Sequence, residues 1–530
     1  MTSKMLKTKN YRDFQVVDTQ GQPTKSFSGA KLANKCLPND EVDTTDTGCV
    51  LKQRSTHPVL AGLVELNSKV RYGFTSRNIP IYMFTPFNEA YPPFIVGCSE
   101  RDCTKNRIGL VTFDSWTETY PRGNLQRLLP EGADEEALFW THTPYACVKW
   151  KGDLPPPPSL ANRTLLPKTT FNIDPPGCRD VDDVISIEWL QDIHDVRITI
   201  TIADVAATVP HGHPLDIRAA QIGQTFYQDG NEPKHMFPAA LSEEALSLLP
   251  GTEKAGLSLS FIISDPTNIT WFESVVTTEK SYTYDSIYEE PLLCNTLCQM
   301  CTVLNEPTAD SHKWIEVAMK FYNKEAAKVL RKAATGLLRS HKAPDMEKLK
   351  RYTAVDPRLE FLAYSAASYV PADEPDPAHW SLGADLYTHA SSPIRRYADL
   401  VNQRVIKAYL RAQALPLSTN PAALNRIAKA AKQHDRDLVF VRALAHATTG
   451  STDATIIDIQ HIDDLVKISL HVPAWNLVVK IKSKTAGKNT IVSRDETASK
   501  TIELGQKVTL SYYSDMTARN WKRRMVLSLF

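Results

Sequence analysis

Four aspartates fall within ten residues, in Phe171-Asn-Ile-Asp174-Pro-Pro-Gly-Cys-Arg-Asp180-Val-Asp182-Asp183-Val-Ile185. Carboxylates packed this closely repel one another. Each unit by which a pKa is raised corresponds to about 1.4 kcal/mol of lost preference for the charged form. A fold keeps such a group when a cation neutralises it. Oxygen donors without His or Cys among them favour Mg²⁺ or Mn²⁺ over Zn²⁺. The spacing does not suit a calcium EF-hand loop, which needs alternating ligands, a central glycine and a distal glutamate. The residues alone leave a solvated acidic loop open as the alternative.

The flanking chemistry favours a pocket. Phe171-Asn-Ile173 reads as the end of a strand, Asp174-Pro-Pro-Gly177 as a sharp turn, and Val184-Ile-Ser-Ile-Glu-Trp189 as the next strand. The carboxylates are thus expected on a loop between two strands, where a rigid scaffold can position reactive groups.

With 530 residues the chain can hold three or four domains. Its net charge of +1 neither demands nor excludes nucleic acid. No run of 18 apolar residues exists, so no membrane span is expected. Met1-Thr-Ser-Lys-Met-Leu-Lys-Thr-Lys9 lacks the apolar core of a signal peptide. Nine scattered cysteines suit a reducing compartment, expected to be the cytoplasm, with the nucleus left open. In such a compartment the acceptor triplets at Asn162 and Asn268 are idle. Cys294, Cys298 and Cys301 have a C-x3-C-x2-C spacing used by some iron–sulfur enzymes, but their helical apolar context reads as packing. His211 and His213 read as a surface loop.

Strand-like segments, Tyr11–Val17 and Ile108–Phe113 among them, mark the first 150 residues as β-rich. Pro155–Pro158 is a stiff spacer. Beyond it strands and helices mix: Val196–Ala203 alternates as a half-buried strand, and helices are predicted over Lys313–Ser340, Tyr397–Ala412 and Ala422–His446. From about residue 448 the pattern returns to strands, with a basic bias from Lys480, Lys482, Lys484, Lys488 and Lys522-Arg-Arg524. That bias is either a solvated face or a surface that tracks a phosphate backbone. No Walker loop, dinucleotide fingerprint, HExxH or GxSxG motif appears.

Three further motifs follow the aspartates. They are Ile202-Ala-Asp-Val-Ala206; Gln224-Thr-Phe-Tyr227 with Met236-Phe-Pro-Ala-Ala-Leu-Ser242; and Tyr387-Thr-His-Ala-Ser-Ser-Pro-Ile-Arg-Arg-Tyr-Ala-Asp-Leu-Val-Asn402. In this order they resemble the signatures of the ribonuclease II / ribonuclease R (RNB) family of 3′→5′ exoribonucleases. The resemblance implies a multidomain α+β chain: an RNB catalytic domain with a mixed sheet and helices, flanked by OB-fold barrels. The expected boundaries are 1–52 and 53–154 for two cold-shock-like barrels, 155–446 for the RNB domain and 447–530 for an S1-like barrel. The barrel arrangement resembles the eukaryotic exosome-type members, with no endonuclease domain expected ahead of it.

The resemblance also implies processive hydrolysis of single-stranded RNA from its 3′ end, releasing 5′-mononucleotides, with Mg²⁺ or Mn²⁺ as cofactor. Asp174, Asp180, Asp182 and Asp183 match the family's metal-site positions, Asp182 being the most sensitive. Two cations can stabilise the attacking and leaving oxygens, so no protein nucleophile is needed. Arg395 matches the arginine on the scissile phosphate, and Arg396 accompanies it; helix-start surface residues are the plain alternative. Tyr227 matches a tyrosine that stacks on terminal bases, and Tyr284 one that orients the last nucleotide, with Tyr282 as its rival should the register slip by two. Glu316 stands for the ribose-sensing glutamate, although only the first of two glutamates remains. Thr201 replaces a family histidine. A catalytically silent RNA-binding protein of the same fold is the main alternative, and a metal-dependent endonuclease the lesser one.

Overall fold

The computed structural model describes residues 4–530 apart from 20, 192–194, 229–230, 417–418, 488, 494, 516–517 and 519–520. Lys488, one of the basic residues noted above, lies outside the described residues. The chain forms two compact units. One comprises residues 1–147, 344–364 and 429–530, and the other 148–343 and 365–428.

The first unit is largely β. Met5–Thr8, Asp13–Val17, Pro23–Ser28, Glu41–Thr44 and Cys49–Gln53 form a five-stranded sheet. Leu60–Val64, Ile81–Pro86, Phe94–Gly97, Arg107–Ser115 and Arg122–Leu128 close into a barrel, the one closed barrel among the described residues. Seven antiparallel strands between Thr449 and Ser528 make the third sheet. In Leu465–Val472 the alternate residues Val466, Ile468, Leu470 and Val472 are buried and pack into one core. Lys480, Lys482 and Lys484 lie on the exposed face of the neighbouring strand Leu477–Gly487.

The second unit is built on a seven-stranded sheet. Its order is Thr164–Leu165, Asp265–Val276, Lys254–Ile262, Asp195–Ala203, Asp183–Leu190, Thr170–Ile173, Lys280–Tyr282. The two outermost pairings are parallel and the inner ones antiparallel. Ile198, Ile200 and Ile202 alternate with Thr199 and Thr201 along the central strand. The isoleucines join a core with Trp314, Ala318, Tyr322, Ala326 and Leu330 from the helix Ser311–Ala333. That periodic stripe is what places the helix on the sheet. The threonines share the other register with small hydroxyls: Thr201 Oγ1 lies 2.7 Å from Ser258 Oγ, which donates to Ser274 Oγ at 2.7 Å. Thr201 is therefore satisfied locally.

Two helix expectations are corrected. The helix predicted over Lys313–Ser340 ends at Ala333, because Ala334 turns left-handed (φ 49°) and Gly336 follows at φ 98°. Leu337–Ser340 then pairs with Ser368–Pro371 as a strand. Apolar spacing continues across the break from Leu330 to Leu337, so periodicity alone could not register it. The helix Met346–Val355 was not anticipated from its polar sequence; its signal is Asp345, whose side chain caps the amides of Glu347 and Lys348.

Candidate active site

The aspartate loop starts at the end of the strand Thr170–Ile173. Its turn closes with Cys178 N donating to Pro175 O (3.1 Å), and Gly177 adopts φ +80°. Proline second and glycine third is the chemistry of a type II turn. The far end is anchored by Val181, whose amide donates to Ser247 Oγ (3.0 Å) and whose carbonyl accepts Leu248 N (3.0 Å).

Each carboxylate is then held differently. Asp174 Oδ2 accepts Asn172 Nδ2 (2.8 Å), and Asn172 Oδ1 accepts Ser281 Oγ (2.6 Å). Asp180 is buried and accepts the Tyr227 hydroxyl. Asp182 is buried; its Oδ1 accepts Ile394 N (2.8 Å). Its Oδ2 lies 3.3 Å from Arg395 Nε in ion-pair range, yet makes no hydrogen bond. Asp183 opens the strand Asp183–Leu190 opposite Ile202.

The electrostatics follow. Burial raises the pKa of Asp174, against the hydrogen bond from Asn172 and the charge of Arg395. Burial pushes Asp182 well above the usual carboxylate range, again against Arg395. Burial and then repulsion from Asp174 carry Asp183 to about 7. These are carboxylates that a cation would relieve.

The cationic side comes from the segment before the helix Tyr397–Leu410. Arg395 Nη2 donates to Ser392 Oγ (3.2 Å), and the Arg395 carbonyl accepts Thr225 N (2.9 Å). Its side chain keeps 46% of its surface exposed beside Asp182. Arg396 has another fate. Its guanidinium forks onto the fully buried Asp399, at 3.0 and 2.7 Å, and Asp399 also accepts Ser392 N (2.8 Å). One arginine is free to meet a ligand while its neighbour braces the loop.

The predicted tyrosines separate likewise. Tyr227 is 53% exposed with its hydroxyl on Asp180. Tyr284 lies near enough to Asp174 and Asp183 that, after burial, their charges raise its pKa. Its ring stacks on His312 with centroids 3.7 Å apart. Tyr282 belongs to the core, its hydroxyl on Glu290 at 3.1 Å. Glu316 is tied to Lys313 (2.6 Å) and Lys320 (2.7 Å) on the helix surface. Val317, in the second glutamate position, is buried in the core.

Three participants escaped the sequence reading: Asn172, Asp399 and His312. Asn172 is the polar residue in the buried strand before Asp174, and Asp399 falls within the quoted arginine motif, so both carried a signal. His312 carried none. The other motifs are structural. Cys294, Cys298 and Cys301 lie along the helix Pro291–Val303 and pack on the core. His213 caps the helix Pro214–Ile222, accepting Leu215 N.

Among the described residues no three His, Cys, Asp or Glu side chains converge as a closed metal cage. Asp182 Oδ2, which accepts no hydrogen bond, and the three raised carboxylates fit a divalent cation, which Asp174, Asp180, Asp182 and Asp183 would hold.

The RNB domain model matches residues 163–291 and 289–412. The mouse 3'-5' exoribonuclease HELZ2 is 43% identical over 90 residues, which are 17% of this chain and 3% of HELZ2. Ribonuclease R of Helicobacter pylori is 25% identical over 353 residues, 51% of this chain and 54% of that protein. The chain thus spans a small part of the first relative and about half of the second. Among solved structures, apo RNase R of Mycoplasma genitalium matches with a TM-score of 0.66 at 15% identity, covering 100% of both chains. Yeast Ssd1, a pseudonuclease, matches with a TM-score of 0.60 at 15% identity, covering 91% of this chain and 78% of Ssd1. At such identities the likeness speaks for the fold alone. The aspartate loop and the arginine segment both lie inside residues 163–412, the stretch of this chain that the RNB domain model matches.

Proposed function

We propose that this chain is a divalent-metal-dependent exoribonuclease that hydrolyses single-stranded RNA processively from its 3′ end and releases 5′-mononucleotides. The observation that carries the reading is the meeting of Asp174, Asp180, Asp182 and Asp183 with one exposed guanidinium, Arg395. That is an excess of negative charge beside a group suited to phosphate.

In this reading Asp174, Asp180, Asp182 and Asp183 hold the ions. When bound, Mg²⁺ would activate water and neutralise charge on the attacking and leaving oxygens. Arg395 binds the scissile phosphate and stabilises the charge that develops on it. Asp182 fixes the start of the arginine segment through the Ile394 amide, so carboxylates and guanidinium keep one spacing. Tyr227 and Tyr284 offer ring faces to the terminal nucleotides without choosing among bases. Arg396 acts through Asp399 by holding the loop, not by touching RNA.

The test is product analysis on a 5′-labelled single-stranded RNA, with and without Mg²⁺. A ladder that shrinks to a short core, abolished by EDTA and by Asp182→Asn, is expected. Cleavage of circular RNA would replace the exonuclease by an endonuclease. The silent alternative draws on the Ssd1-like fold and on Val317 in place of a glutamate. It requires RNA binding without mononucleotide release at any metal concentration.

A further inference from the structure

Tyr284 matches a motif position, and the fold gives its ring a partner that no motif names. His312 lies flat against it, with ring centroids 3.7 Å apart and an interplanar angle of 17°. Three hydrogen bonds hold the contact. Ser311 Oγ donates to the Tyr284 carbonyl at 2.7 Å, and Ser311 N donates to the Tyr288 hydroxyl at 3.0 Å. Asp310 Oδ1 accepts His312 N at 2.9 Å and caps the helix Ser311–Ala333. The helix start is thus pinned to the backbone of the residue whose ring His312 covers. The helix does not need this contact to stay on the sheet, because Trp314, Val317, Ala318 and Tyr322 already bury its inner face in the core.

An aromatic ring has two faces, and His312 occupies one of those of Tyr284. A base can stack only on the other. Unbacked, a half-buried tyrosine can move between side-chain rotamers; a stacked partner removes that freedom and adds attraction of its own. The charges of Asp174 and Asp183 reach Tyr284, so the ring stands beside the aspartate loop. The direction of its free face therefore sets where a terminal base rests relative to the carboxylates.

We propose that His312 is a positioning residue that backs Tyr284, leaving one fixed ring face for the base of the 3′-terminal nucleotide. The proposal rests on the exoribonuclease reading above for the identity of that ligand.

The test is a double-mutant cycle on Tyr284 and His312 in the full chain, read in two assays. One is kcat/KM for mononucleotide release from single-stranded RNA with Mg²⁺. The other is equilibrium binding of a linear RNA oligonucleotide in EDTA, with a circular RNA of the same sequence beside it. His312→Ala should lower kcat/KM and linear-RNA affinity about three- to tenfold, and His312→Phe should restore both to within about twofold. Once Tyr284→Ala is present, His312→Ala should add almost nothing. Affinity for circular RNA, which has no terminal base, should not change. Additive penalties, a folded His312→Phe that does not rescue, or an equal loss on circular RNA overturn the proposal and leave the exoribonuclease reading standing. Should His312→Ala not fold, His312→Gln takes its place; if neither folds, the contact is structural and the proposal falls. A wild type that shows the binding cycle but releases no mononucleotide overturns the exoribonuclease reading instead.

Discussion

Two clusters of charge lie in the same unit and behave in opposite ways. Around Asp204, two carboxylates meet three cations. Asp204 contacts Arg163 (2.7 Å) and Lys407, while Glu273 contacts Arg163 (3.1 Å), Lys407 (3.6 Å) and Arg411 (2.5 Å). Burial works to raise the Glu273 pKa, and the three cations still hold it below the usual range. At the aspartate loop, four carboxylates share one guanidinium, and three of them are raised. The first cluster is closed and closes the fold, tying Arg163 to Lys407 of the helix Tyr397–Leu410. The second keeps an excess of negative charge around its one guanidinium. Charge density in the sequence does not separate them; the pairing does.

The contrast can be broken most sharply by neutralising one carboxylate in each cluster. Asp182→Asn should cut ribonuclease activity about a thousandfold while leaving thermal stability equal or higher, since it relieves repulsion. An unchanged rate in a phosphodiesterase assay would refute the site. Asp204→Asn should do the reverse. It strands Arg163 and Lys407 in a buried setting, costing about 3–5 kcal/mol in urea unfolding. A loss below about 1 kcal/mol would mean that the cluster is not closed.

The two arginines sharpen the same comparison. Arg395→Lys should lower kcat about a hundredfold, because a lysine cannot reproduce a forked phosphate contact. Arg396→Lys should leave kcat nearly unchanged and cost about 1–2 kcal/mol of stability through the lost fork on Asp399. Equal kinetic effects would show that Arg396 also meets substrate.

Mg²⁺ at a hundred times its Kd should stabilise the wild type by about 2.7 kcal/mol, and Asp174→Asn by much less. Calorimetric melts with and without EDTA measure the difference.

The smallest effect is a pH slope in EDTA. The folded pKa of Asp183, about 7, lies above its ordinary value of 3.8. Its contribution is therefore fully present below about pH 4 and lost as pH rises through 7. The melting temperature of wild type minus that of Asp183→Asn should fall across that window, on the order of 2–4 °C for each kcal/mol lost. A flat difference would place Asp183 in solvent.

Much of the site was legible because its parts are local. The Asp-Pro-Pro-Gly turn, the strands on either side and the arginines before a helix each write themselves in a few consecutive residues. Tyr227 carried a motif; its bond to Asp180 did not, since it joins the aspartate loop to the strand Phe226–Gln228, 47 residues further along the chain. Arg395 and Arg396 read alike in sequence, and only the buried Asp399 one helical turn later assigns them different work.

From sequence alone the chain determined its strand periodicities, its turns and the residue types that can hold a hard cation, because those depend on neighbours a few positions apart. Which charges end up paired, which of the two arginines is left exposed, and that Val317 turns into the core were decided only by tertiary structure. Electrostatic energy depends on distance in space and on burial, and both are set by how the sheet, the helices and the loops pack.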